Sequence, residues 1–145
     1  MDITRVGTDN PTRLQKVTKT ITFDGSAGSG AIGQVTVFTV TGINYVQRLI
    51  PYCTVDLVSA TGTISLGRAA AVTALLGVTT AADLDANEYW LSTTPGSGFI
   101  ALPAALKDSI YATDVTIDVL TLGISAGAII FYIEYIPISA GAVIS

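Results

Sequence analysis

Valine, isoleucine and threonine recur along this chain in short runs cut by glycine and proline, and apolar residues rarely hold a helical period. β-Branched side chains pack well on a pleated surface and lose rotamer freedom in a helix, so the pattern restricts the chain to strands joined by turns. The 145 residues contain no fixed-period repeat and no low-complexity linker, which sets one domain. The fold expected is all-β: an antiparallel β-sandwich or jelly roll of about eight strands, spanning residues 17–145 behind an extended N-terminal arm at 1–16.

The strands follow from local pattern. Residues 17–23 form the first, ended by the turn-prone run 24–30. Residues 31–41, apolar on both faces, read as a strand covered on both sides and broken by Gly42. Segments 43–50 and 52–59 are separated by Pro51, which cannot donate to a ladder and suits a bend or an edge. Thr61-Gly62 turns into 63–66, and the alanine-rich stretch 69–76 fits helix and strand equally. Residues 79–84 read as a short helical turn with a threonine cap. Segments 89–92, 99–102 and 107–111 are short strands or edges. Val115, Ile117 and Val119 alternate with Asp114, Thr116 and Asp118, the mark of a strand with one wet face. Residues 129–136 are expected to pair with that strand after a glycine-shaped hairpin at 123–127, placing Phe131, Ile133 and Tyr135 opposite Tyr132 and Glu134.

Composition then narrows function. The chain has no histidine, which removes the one side chain that titrates near neutrality and serves as general base, nucleophile activator and metal ligand. Half the residues are apolar, 12% are charged and the mean hydropathy is +0.60, so apolar surface is expected to be shared with another subunit. A membrane span is not expected: the apolar stretch 119–133 is bounded by Asp118 and Glu134, interrupted by Gly123, Ser125 and Gly127, and shorter than the roughly 20 residues a spanning helix needs. Asp2, Arg5 and Asp9 stand where a signal peptide would be apolar, so synthesis in a reducing cytoplasm is expected. Cys53, the single cysteine, reads as a buried thiol on a strand.

A net charge of −4 argues against nucleic acid as a partner. Four of the seven basic residues, Arg5, Arg13, Lys16 and Lys19, lie in the first nineteen positions, and the remainder sets Arg48, Arg68 and Lys107 against nine acids. The chain is a basic arm on an acidic body. Either the arm lies on an acidic neighbouring protein or its charges are simply solvated.

Several strings match catalytic patterns without their context. Gly28-Ser29-Gly30-Ala31-Ile32-Gly33 has dinucleotide-loop spacing, but strand rather than helix follows it. Gly123-Ile124-Ser125-Ala126-Gly127 has nucleophile-elbow spacing, with no histidine to take a serine proton. Asp83, Asp85 and Asn87 open like a calcium loop, but Glu88 stands where the turn needs glycine and Thr94 where a bidentate acid is needed. The acids are spread singly, so nothing orients a glycosidase pair. Tyr89-Trp90 and Phe131-Tyr132-Tyr135 fit sugar stacking or core packing. No catalytic, cofactor or metal residue is assigned.

In the order of its features the chain resembles structural proteins of tailed-bacteriophage virions, in particular capsid decoration or cement proteins with a jelly-roll-like body. The features are a short polar arm; a strand running into Thr41-Gly42; Ile64-Ser65-Leu66-Gly67-Arg68 before an alanine-rich stretch; the stretch 85–90 ahead of Thr93-Thr94-Pro95; and 130–137 ending in Ile138-Ser139-Ala140-Gly141. The resemblance implies a non-enzymatic protein on the capsid surface of the virion, assembled as a homo-oligomer, commonly a trimer, that binds the major capsid protein and strengthens capsomer contacts. Arg5, Arg13, Lys16 and Lys19 are the residues expected to touch the shell. A tail, baseplate or fibre component fits the same features, and a carbohydrate-binding β-sandwich is the other alternative.

Overall fold

The chain is folded back on itself about its midpoint. The computed structural model describes residues 13–145. Its strands are β1 (Gln15–Thr22), β2 (Gly33–Phe38), β3 (Val40–Thr41), β4 (Asn44–Val58), β5 (Thr63–Arg68), β6 (Ala71–Thr80), β7 (Glu88–Tyr89), β8 (Lys107–Tyr111), β9 (Val115–Leu120), β10 (Ala126–Pro137) and β11 (Val143–Ile144). Antiparallel pairs join β1 to β10, β2 to β9, β4 to β8 and β5 to β6. First meets last at each level, which is a long hairpin rolled up into a jelly roll. Of the eleven strands, these eight are five residues or longer and make the roll; β3, β7 and β11 have two residues each.

Two sheets result. A five-stranded sheet runs β1-β10-β4-β7, with β8 also on β4, and a four-stranded sheet runs β2-β9-β5-β6. Between them lie Phe38, Leu49, Ile64, Leu66, Ile117 and Phe131, all but sealed from solvent. Trp90 is in the same core, its indole N–H given to Thr79 Oγ1 at 2.9 Å. No helix among the described residues is long and apolar enough to cross a membrane.

Pro51 does not break the chain in two. β4 runs through it as one 15-residue strand. Across the outer edge of β4, β8 pairs with residues up to Arg48 and β7 with Tyr52 and Cys53, so Pro51 falls between them. Its carbonyl accepts from Trp90 N at 3.0 Å, and the N–H it lacks faces a place where the ladder has no partner.

Other local expectations change with tertiary context. The stretch 31–41 is covered on one face only: Val35 and Val37 are buried, Gln34 and Thr36 exposed. The alanine-rich stretch is strand β6. Residues 81–83 form a 3-10 turn, but Thr80 makes no side-chain cap; Thr79 is turned inward to Trp90 instead. Residues 99–102 form no strand. On β9 the expected wet face is dry, with Thr116 3% and Asp118 7% exposed. β10 pairs with β1 and β4 rather than with β9, so residues 121–125 cross from one sheet to the other instead of closing a hairpin.

That crossing explains both glycine motifs. Ile124 N donates to Gly30 O at 2.7 Å, which locks the loop at 28–33 against the loop at 123–127. Gly30 has φ +124° and no room for a Cβ beside Ile124, and Gly127 has φ +118° with Leu57 and Asp56 against it. Ser125 Oγ donates to Val58 O at 3.2 Å and serves the same joint.

Candidate interaction surface

The outward face of the five-stranded sheet gathers residues that lie far apart in sequence. On β10, Phe131, Ile133 and Tyr135 point into the core while Ile130, Tyr132 and Glu134 point out. Register carries this parity across the sheet. Lys16, Glu134, Arg48 and Lys107 stand in one line over β1, β10, β4 and β8. At about 4.8 Å per strand the line spans about 14 Å. The next lines bring Tyr132 beside Ile50, and Ile130 beside Tyr52 and Tyr89. A half-buried patch of Ile50, Tyr52, Tyr89, Ile130 and Tyr132 is thus bounded on one side by three cations and one anion.

Three of the four charges in the line are held by a neighbour. Arg48 Nε donates to Glu134 Oε2 at 3.0 Å. Both side chains are partly exposed, so the pair adds little stability, and its effect is to fix the guanidinium over the sheet. The Lys16 ammonium sits 5.6 Å from the centroid of the Tyr132 ring, within cation–π range. Tyr45 OH donates to Asp108 Oδ1 at 2.6 Å, and that bond, aided by desolvation and the carboxylate charge, pushes the phenol above its ordinary value. Tyr52 and Tyr89 pack at 4.9 Å between centroids, and Tyr52 OH donates to Asn87 Oδ1 at 3.0 Å.

Of the four cations expected at a shell contact, the structure describes three and places them differently. Arg5 lies outside the described residues. Arg13 is exposed just ahead of β1, with its carbonyl accepting from Gln15 Nε2. Lys16 joins the outward line. Lys19 stands opposite Phe131 and therefore leaves the other face of β1. Arg48 and Lys107 were missed because nothing local links positions 16, 48, 107 and 134; only the strand order does. Trp90 is fully buried and is no sugar platform.

Chemistry fares worse than binding. Cys53 is buried, its thiol pushed up to about 11 chiefly by desolvation. A cleft of about 380 Å³ carries Arg68 and Asp114, but Asp114 Oδ1 already accepts from Val40 N at 2.8 Å. Among the described residues no three histidines, cysteines or acids gather as a metal would need.

The class defined by these features is a jelly-roll β-sandwich with an exposed sheet face that is aromatic at its centre and basic along one side. Among solved structures, a chain of the cyanophage Pam1 capsid asymmetric unit is similar in fold, with a TM-score of 0.52 and 17% identity over 93% of this chain and 92% of that one. No protein-family model matches the chain, and no curated protein matches it.

Proposed function

We propose that the chain is a non-enzymatic structural protein of a bacteriophage virion, seated on the outside of the capsid as a decoration or cement protein. The observation that carries this reading is the fold likeness to a capsid chain over nearly the full length of both proteins. Fold alone does not assign a role, and the exposed face supplies the second argument. Aromatic side chains flanked by cations suit a protein surface that offers carboxylates around an apolar patch. The major capsid protein is the partner of that description in this reading. Arg13 and Lys16 contribute with Arg48 and Lys107, Arg5 lies in the proposed arm, and Lys19 serves the edge of β1.

A homotrimer would repeat the face three times, so that modest single contacts give a durable hold through valency. The test is occupancy. Purified protein is added to virus particles stripped of it, and bound copies are counted by cryo-electron microscopy beside the native mass in solution. Lys16→Ala with Arg48→Ala and Lys107→Ala is expected to cut occupancy at least tenfold and to flatten its salt dependence. Unchanged occupancy would remove the face from the contact, and binding to tails but not to shells would move the protein to the tail reading.

A further inference from the structure

The outward face of the four-stranded sheet hides a polar cluster that the fold leaves short of partners. Ser65 and Asp118 are register partners, as are Gly67 and Thr116, and all four leave β5 and β9 on the side away from the core. They are nevertheless covered. A Cβ at Gly67 would collide with the backbone of Ala71 and Val72, so the start of β6 crosses over this face. Gln34 closes it from β2, its Nε2 lying 3.5 Å from Asp118 Oδ2 and 3.4 Å from Ala69 O.

Beneath that cover Ser65 is 0% and Thr116 3% exposed, and among the described residues neither Ser65 Oγ nor Thr116 Oγ1 has a hydrogen-bond partner. Asp118 is 7% exposed, and among the described residues no Lys or Arg pairs with it. A buried carboxylate without a counter-charge is costly, and two buried hydroxyls left unpaired add to the cost.

We propose that Asp118, Ser65 and Thr116 hold a monovalent hard cation of the sodium type under the start of β6. All three offer oxygen, which suits a hard ion. With one carboxylate in the cluster, a single positive charge leaves the site neutral, whereas calcium or magnesium would leave a net buried charge. The ion ties β5 to β9 beneath the strand that crosses them.

The experiment measures thermal unfolding of the full chain in sodium chloride and in choline chloride at equal ionic strength, with ²³Na relaxation as a direct reading of binding. A site with a dissociation constant of about 10 mM, in about 300 mM sodium, multiplies the folding constant by about 30. The expected result is a melting temperature several degrees higher in sodium, a sodium shift absent in Asp118→Asn, and a smaller one in Ser65→Ala. Ser65→Ala decides the matter if Asp118→Asn does not fold. Equal melting in the two salts, or variants that keep the full sodium shift, would overturn the site. A response to millimolar calcium and none to sodium would overturn the monovalent assignment.

Discussion

The Trp90 indole donates to Thr79 Oγ1 at 2.9 Å, with both residues fully shielded from water. Thr79 is the last residue but one of β6 and Trp90 follows β7, so this one bond ties the four-stranded sheet to the five-stranded one through the core. Thr79→Val keeps the shape and removes the acceptor, which leaves a buried donor unsatisfied. The expected loss is about 1–3 kcal/mol, read by urea unfolding, while Thr79→Ser loses less because it retains the oxygen.

Gly127 and Gly28 both have positive φ, but only Gly127 is crowded. Gly127→Ala is expected to lose about 3 kcal/mol or more and to appear largely insoluble, since strain and collision with Leu57 act together. Gly28→Ala meets open space and loses about 1 kcal/mol. Comparable losses for the two, measured by chemical denaturation, would contradict the close approach of Gly127 to β4.

Cys53 gives a pH dependence with a definite sign. Its thiol has an ordinary value of 9.0 and is raised by burial to about 11, so the unfolded chain releases this proton first. Stability from this group is complete below pH 9 and is lost as pH rises from there through about 11, by at most about 3 kcal/mol. Tyr111, also raised by burial, extends the fall at higher pH. Cys53→Ala is expected to remove the first part of the fall. A thiol reagent at pH 8 should label Cys53 only as fast as the protein unfolds.

Lys19 stands on the core-facing side of an edge strand, opposite Phe131, and is exposed. An inward charge at an edge discourages pairing with a second chain. Lys19→Val is expected to leave unfolding stability within about 1 kcal/mol and to raise aggregation in light scattering; a variant that stays monodisperse would refute the guard role.

How much of this was legible depended on range. The edge strand at 107–111 was read to the residue, and the in-out alternation of Phe131, Ile133 and Tyr135 against Tyr132 and Glu134 was visible because period two is a local signal. Thr116 and Asp118 were read as wet because their alternation with valine and isoleucine says which face is polar, and not whether another strand covers it. Pro51 was read as a break because the gap between β7 and β8 that admits it is formed by residues 35 and more positions away. The line through Lys16, Glu134, Arg48 and Lys107 was invisible for the same reason, as it exists only once four strands are ordered.

The pairing of β1 with β10 also governs how the polypeptide must be made. While the ribosome is still short of residue 126, every strand of the four-stranded sheet has been made, but β1 has no neighbour and the five-stranded sheet lacks the strand that joins β1 to β4. Prematurely terminated copies therefore expose an unfinished sheet, and only chains translated through β10 can close the roll.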